Sequence, residues 1–447
     1  MPPPELSFSD PVFKAELQRL RQTDNITNWW YLARTYLFFA AVFAPSVYVW
    51  ELARLGDIAF AWTIPITCMA IVLVGAGQHQ LSGLAHEGVH HILFRSRYLN
   101  DLASDIGTMF PLYGATYLYR LQHLAHHQFV NDPERDPDVS QLIASGHWLN
   151  FPLKKQQFLR KIAKQLWVPN LIRFMRVRGK YNGTGTDQNP YFRKGQKPAR
   201  TAVRIGLIYI LSLIVALVLL YRHGDATMLV AVPIAMWTLI SVVFWRLPAR
   251  CYIQTRLHPV VPSRYMTILR IGYITTLFTT LTVVMCVTGA PAPLYYVVLW
   301  IVPMLTSFAF FMILRQLVQH GNADRGWLTN TRTFLVGRAI NFAVFPMGQD
   351  YHLPHHLFAT IPHYRLRELH ELLMRCTEYA KEATVVKGYF LSPDHPRIAP
   401  TVLDVLGPEY AANHMHAVHI DNTVLNDDEF DDAEQLRAEG AGLRQAS

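Results

Sequence analysis

The chain has 447 residues, of which 51% are hydrophobic and only 16% charged, and its formal net charge is +9. Soluble globular domains carry about 25% charged residues, so the composition excludes an ordinary soluble enzyme and points to a membrane protein. The basic excess fits attraction to anionic lipid, or docking of an acidic electron donor or a phosphate-bearing substrate, and not nucleic acid.

The opening MPPPELSFSDPVFK lacks a basic segment followed by an apolar one, so no cleaved signal peptide is expected. Six runs nearly free of charge follow: Tyr36–Trp50, Ile58–Ala76, Ile205–Tyr221, Thr227–Trp245, Ile271–Val287 and Leu294–Leu314. A crossing needs roughly 17–25 apolar residues, which makes the first and third runs borderline in length. The turns between them, ELARLGD (51–57), RHGDA (222–226) and GAPAP (289–293), are short. Gln78–Arg204 holds 18 Lys and Arg against 8 Asp and Glu, and Arg246–Arg270 holds five arginines and no acid. Positive charge near span ends marks the cytoplasmic side, so both termini and both long polar segments are expected there. Cys68, Cys251, Cys286 and Cys376 have neither metal-finger nor disulfide spacing. The tail 421–447 carries 8 acids and 2 arginines and is expected to be disordered.

Three histidine clusters stand just beyond predicted span ends: HEGVHH (His86, His90, His91), HLAHH (His123, His126, His127) and HLPHH (His352, His355, His356). Spacing i, i+3, i+4 puts all three imidazoles of a helical HxxHH on one stripe, and spacing i, i+4 does so for His86 and His90. His91 turns away from His86 on an ideal helix, and joins only if the helix bends or frays. Pro354 is tolerated in a first helical turn, so His352 is expected to enter from the segment before a helix, with His355 and His356 in its first turns. A lone histidine is usually a surface or core residue. Three clusters with ligand spacing on one face predict a shared metal site, because so many imidazoles buried without metal would leave polar groups unpaired. The number of nitrogens exceeds the roughly four that one tetrahedral zinc takes, so two metals are expected. His320, in RQLVQHGNAD, is a further candidate ligand with Gln316 one turn earlier, and His79 is expected to pack beside the ligands. Metal-bound histidines usually donate their other N–H to a carboxylate or carbonyl, which singles out Glu87, Asp132 and Asp136, with Glu134, Asp138 and Asp350 also near.

The three boxes, with HHQFVNDPERDPD after the second and HHLFATIPHYRLRELHELL after the third, resemble the integral-membrane fatty-acid desaturase family of histidine-box enzymes over about Gln78–Leu373. The resemblance implies an all-α membrane helical bundle of four to six spans, two of the six runs being short embedded segments where the simplest four-span plan holds. It implies a cytoplasmic cap carrying two irons. The implied ligands are His86, His90 or His91, His123, His126, His127, His320, His352, His355 and His356. Where some relatives carry an asparagine one turn before the ligand matching His320, this chain has Gln316. The implied organisation is a cytoplasmic segment 1–34, a membrane domain 35–373, a cytoplasmic segment 374–420 and the acidic tail 421–447. The implied chemistry is oxygen-dependent removal of two hydrogens from an unactivated methylene pair of a fatty-acyl lipid or thioester. Hydroxylation of a fatty acid, or hydroxylation or ketolation of a carotenoid, on the same scaffold is the nearest alternative, and a membrane metal-handling protein a more distant one. A transporter would place its ligands near the bilayer midplane, whereas these lie at span ends. The sequence has no haem-domain signature, no Cys set for an iron–sulfur cluster and no GxGxxG fingerprint, so electrons are expected from a separate ferredoxin or cytochrome b5-like protein.

Overall fold

The structure, a computed structural model, describes residues 6–184, 189–192, 199–223 and 225–410. Six helices are long and apolar enough to cross a membrane: Thr27–Leu55, Phe60–Val89, Thr201–His223, Ala226–Arg246, Ser263–Thr288 and Ala292–Gln319. Together they make an all-α polytopic bundle. Regular strand among the described residues is limited to Thr333–Leu335, paired in parallel with Val385–Lys387.

Each apolar run in the sequence falls largely within one of these helices, and every helix extends beyond its run at one end or both. The first spans 29 residues because its end turns carry Trp29, Trp30, Trp50 and Arg54, which suit a membrane–water boundary. All six reach 21 residues or more, long enough to cross. The first helix stops at Gly56, whose φ of 88° is left-handed and favours glycine. The acidic tail 421–447 lies outside the described residues.

The first, second and sixth spans pack around one core. Phe39 meets Trp300 edge-on at 4.9 Å between ring centroids. Val74, Leu81, Phe308, Met312 and Leu317 extend this core, and Phe334, Val386, Val402 and Leu406 continue it beyond the membrane helices. The third, fourth and fifth spans share a second core built on Tyr209, Leu213, Leu229, Phe244 and Ile271. Their outer faces leave Leu207, Ile208, Leu211, Ile234 and Leu239 exposed, as lipid-facing side chains are.

The second and sixth spans cross at Gly75. A Cβ there would sit 2.0 Å from Ser307 Oγ and 2.6 Å from the Phe308 backbone nitrogen, and Ser307 Oγ donates to the Ile71 carbonyl at 2.5 Å. Because a backbone atom blocks the space, a side chain can enter only if the spans part. Gly75→Val is therefore expected to cost about 1–3 kcal/mol or more of packing. Detergent size-exclusion and thermal unfolding check this, and an unchanged unfolding temperature would count against the crossing.

Candidate metal centre

The histidines reach one buried region from four pieces of chain. His86 lies in the last turn of the second span, and His90 caps its C-terminus. His123, His126 and His127 lie on the helix Thr116–Gln128. His320 caps the end of the helix Ser307–Gln319, and His352, His355 and His356 lie on the short helix His352–Leu357. His352 is thus the first residue of that helix, not part of the segment before it. Pro354 falls within the first turn, where its missing N–H has no helical partner to lose.

Nine imidazoles sort into two groups. His86, His90, His123, His127 and His355 form one, and His126, His320, His352 and His356 the other, with the candidate ligand atoms of each group within 4.8 Å of one another. Each HxxHH box serves both groups. The i and i+4 members, His123 with His127 and His352 with His356, stay together, while the i+3 members, His126 and His355, go to the opposite group. On a helix of 3.6 residues per turn the i+3 side chain points about 80° away from the mean direction of i and i+4, so one helix feeds two neighbouring centres. The groups touch where His127 stacks on His356 at 4.2 Å between ring centroids.

Nε2 atoms converge at 3.0 Å for His123 and His127, 3.1 Å for His127 and His355, 2.9 Å for His320 and His352, and 3.2 Å for His352 and His356. Ligand nitrogens ~2.0–2.1 Å from a shared cation would stand ~2.9 Å apart at right angles and ~3.3 Å apart at tetrahedral angles, so the spacing suits coordination. His86 Nε2 is buried with no hydrogen-bond partner among the described residues, an orphan that a cation would satisfy. The donor set of clustered neutral imidazoles fits a transition metal.

The electrostatics agree. Burial, and then neighbouring imidazoles, hold His123, His127, His352, His355 and His356 well below the ordinary histidine pKa. Burial and then His126 do the same for His320. Neutral imidazole is the form that binds metal. His126 differs. Burial works to lower it, but Asp136 and Asp138 outweigh burial and lift it to about 9. Those carboxylates favour positive charge on this ring, whether a proton or a metal ion supplies it.

Asp136 answers why acids follow the second box. Its carboxylate accepts from His126 Nδ1 at 3.0 Å to each oxygen, and also from the Asn131 and Asp138 backbone N–H at 2.9 and 2.8 Å. It is both the N-cap of the helix Pro137–Ser145 and the group that aims His126 Nε2 inward. His320 Nδ1 donates to the Asn330 carbonyl at 3.0 Å, and Asn131 Nδ2 donates to the same carbonyl at 2.9 Å.

The other expected neighbours have other hydrogen-bond partners. Glu87 Oε2 accepts from the His363 backbone N–H at 2.8 Å and from His363 Nδ1 at 3.1 Å, and its Oε1 is 3.9 Å from His86 Nδ1, beyond hydrogen-bond range. Asp132 binds Arg135 and Arg325 and no histidine. Glu134 is exposed, and Asp350 accepts from Asn341, its carboxyl raised by burial to about 6. Gln316 Nε2 donates to Asp138 Oδ2 at 3.3 Å, and its side chain lines the histidine cavity. His79 Nδ1 donates to the Ala343 carbonyl at 2.7 Å, outside both groups. His91 also falls outside them. The second span has ended, His91 takes a left-handed φ of 56°, and its ring faces Asp101 at 3.6 Å and Arg120 at 3.4 Å.

Sequence reasoning missed Gln349, whose side-chain amide meets His86 Nδ1 at 3.0 Å, and the Asn330 carbonyl. Gln349 lies three residues before His352, which is a faint signal. A backbone carbonyl leaves none. Also missed were Arg178 and Arg315, which line the same cavity of about 240 Å³ as His86, His123, His126, His320 and His352. A second, largely apolar cavity of about 330 Å³, lined by Val203, Leu207, Met266 and Ile274, shares none of these residues.

Comparison with known proteins gives concordant results. The family pattern described as fatty acid desaturase matches residues 60–254 and 245–386. The chain is 23% identical to a dihydrorhizobitoxine desaturase of Bradyrhizobium elkanii over 410 residues, 90% of this chain and 89% of that protein. It is 32% identical over 106 residues to the Delta(5) fatty acid desaturase fat-4 of Caenorhabditis elegans, 24% of this chain and 22% of that protein.

Proposed function

This chain belongs to the fatty acid desaturase family, and from that premise we propose that it is an oxygen-dependent di-iron desaturase of an aliphatic acyl chain. The observation that carries the reading is the division of nine imidazoles into a group of five and a group of four, with two of the four chain segments feeding both. His86, His90, His123, His127 and His355 would hold one iron, and His126, His320, His352 and His356 the other. Bound iron would supply the redox chemistry that reduces dioxygen and removes hydrogen from unactivated carbon, with two electrons delivered by a separate ferredoxin or cytochrome b5-like protein.

The protein's own part is positional. Asp136 and the Asn330 carbonyl hold the Nδ1 protons of His126 and His320, which directs both Nε2 lone pairs inward. The Bradyrhizobium relative is named for an amino-acid derivative and the Caenorhabditis relative for a fatty acid, so the acyl class draws support from the family pattern and the second relative.

Oxygen uptake by the iron-loaded protein, given a chemical reductant and lipid, tests the reading. The expected product is two hydrogens lighter than the substrate. A product that gains oxygen instead would make the protein a hydroxylase, and an absence of iron would remove the reading altogether.

The basic ends of the spans support a cytoplasmic histidine face with both termini on the same side. Single cysteines at Lys180 and Glu371, in a chain freed of its native cysteines, are expected to resist an impermeant thiol reagent in intact cells and to react after lysis. Labelling of one position but not the other in intact cells would mean that the boxes lie on opposite sides.

A further inference from the structure

Arg178 and Arg315 are only 8% and 5% exposed, and both line the cavity that His86, His123 and His126 close on another side. Arg315 comes from the helix Ser307–Gln319 and Arg178 from the helix Val168–Thr184. Among the described residues neither guanidinium is in an ion pair. Arg315 Nε has no hydrogen-bond partner, and Arg178 rests over the Tyr119 ring at 5.7 Å. The cavity's two acids bond to neither guanidinium, although the Asp138 charge reaches Arg315. Asp136 is taken by His126 and two backbone amides, and Asp138 accepts from Gln316.

An arginine cannot shed its proton, and a buried guanidinium without an anion is strongly unfavourable. Two of them in one cavity, beside imidazoles expected to hold metal cations, exceed the charge that Asp136 and Asp138 offset and favour an anionic ligand. The planar fork of donors suits a carboxylate gripped at both oxygens. The cavity's size selects further. At about 240 Å³ it falls below the roughly 300–1,000 Å³ typical of pockets for drug-sized ligands, which suits a small acid.

We infer that Arg178 and Arg315 are a clamp for the free carboxylate of a short-chain aliphatic acid, which is the substrate class of this site. The inference rests on the desaturase reading above and narrows it. Anchoring the carboxylate there sets the bond to be dehydrogenated only a few carbons from the acid group, because the histidines share the cavity.

The test uses the full chain in detergent, with iron content measured on every sample. Hexanoate, methyl hexanoate and inorganic phosphate are titrated separately, by calorimetry and by the shift in unfolding temperature. Hexanoate is expected to bind and to raise the unfolding temperature, while the ester and phosphate leave it unchanged. Arg315→Gln and Arg178→Gln are each expected to bind hexanoate about thirtyfold more weakly or worse, with iron content kept. Arg315→Lys, which retains the charge without the fork, is expected to fall between wild type and Arg315→Gln. Equal binding of acid and ester, equal binding of phosphate, or undiminished hexanoate binding by Arg178→Gln or Arg315→Gln would overturn the clamp. Iron-free wild-type protein would overturn the metal reading instead, and hexanoate binding would still be legible on its own.

Discussion

Replacing His320 by alanine is expected to reduce iron from about two per chain to about one and to lower desaturation by about a hundredfold or more. His320 lies outside the three boxes, yet its Nε2 stands 2.9 Å from His352 Nε2 and its ring 4.8 and 4.9 Å from those of His126 and His356. It belongs to the group of four, which has no nitrogen to spare. Loss of one leaves three imidazoles, and outer-shell changes alone typically cost about 10–100-fold in metal affinity or activity. His355→Ala makes the contrast. It belongs to the group of five, so four imidazoles remain, and more iron is expected to stay bound than in His320→Ala or His126→Ala. Activity is still expected to collapse, because His355 Nε2 lies 3.1 Å from His127 Nε2 inside the cluster. Iron analysis of the purified variants decides it. Two irons retained in His320→Ala, with one lost in His355→Ala, would reverse the assignment of groups.

That contrast was not available from the sequence, and the reason is geometric. Box spacing fixes which imidazoles share a helical stripe, and all three boxes were legible on that ground. Which member of a box goes to which group depends on how three helix ends are set against one another. Helix packing decides that, and the local sequence does not carry it. The spans were legible because unbroken apolar runs are the strongest signal a chain gives. Their ends were not, since Trp, Arg and His tolerate a membrane boundary and let a helix run on. The second span continues to Val89 through Gln78, His79, Gln80 and Glu87, residues whose polarity argues for a loop but which are buried among other helices here. Of His90 and His91, only the first stays with the cluster. The helix ends at Val89 with His90 as its cap, and a left-handed φ at a histidine such as His91 has no strong sequence signal. The acids after the second box were legible as a set and not as individuals. Asp132 and Asp136 both precede helical or turn segments, and only the fold shows that one faces arginines and the other a histidine.

Separating those two acids gives the second large effect. Asp136→Ala removes the acceptor for His126 Nδ1 and the cap of the helix Pro137–Ser145 together. Loss of the cap alone is worth about 0.5–2 kcal/mol of stability. Loss of the acceptor frees the His126 ring to turn and lowers the basicity of its Nε2, for which about a hundredfold drop in activity is expected. Asp136→Asn divides the two contributions. An asparagine oxygen still accepts from Nδ1 and still caps the helix, but the negative charge that holds His126 at about 9 is gone. Stability close to wild type, with activity down about tenfold, is therefore expected for this variant. Asp132→Ala serves as the control. It breaks the pairs with Arg135 and Arg325, touches no imidazole, and is expected to leave iron content unchanged. Should Asp136→Ala lose stability while keeping its iron and its full rate, Asp136 would be a helix cap alone, and the orientation of His126 would have to come from packing against His320 and His356.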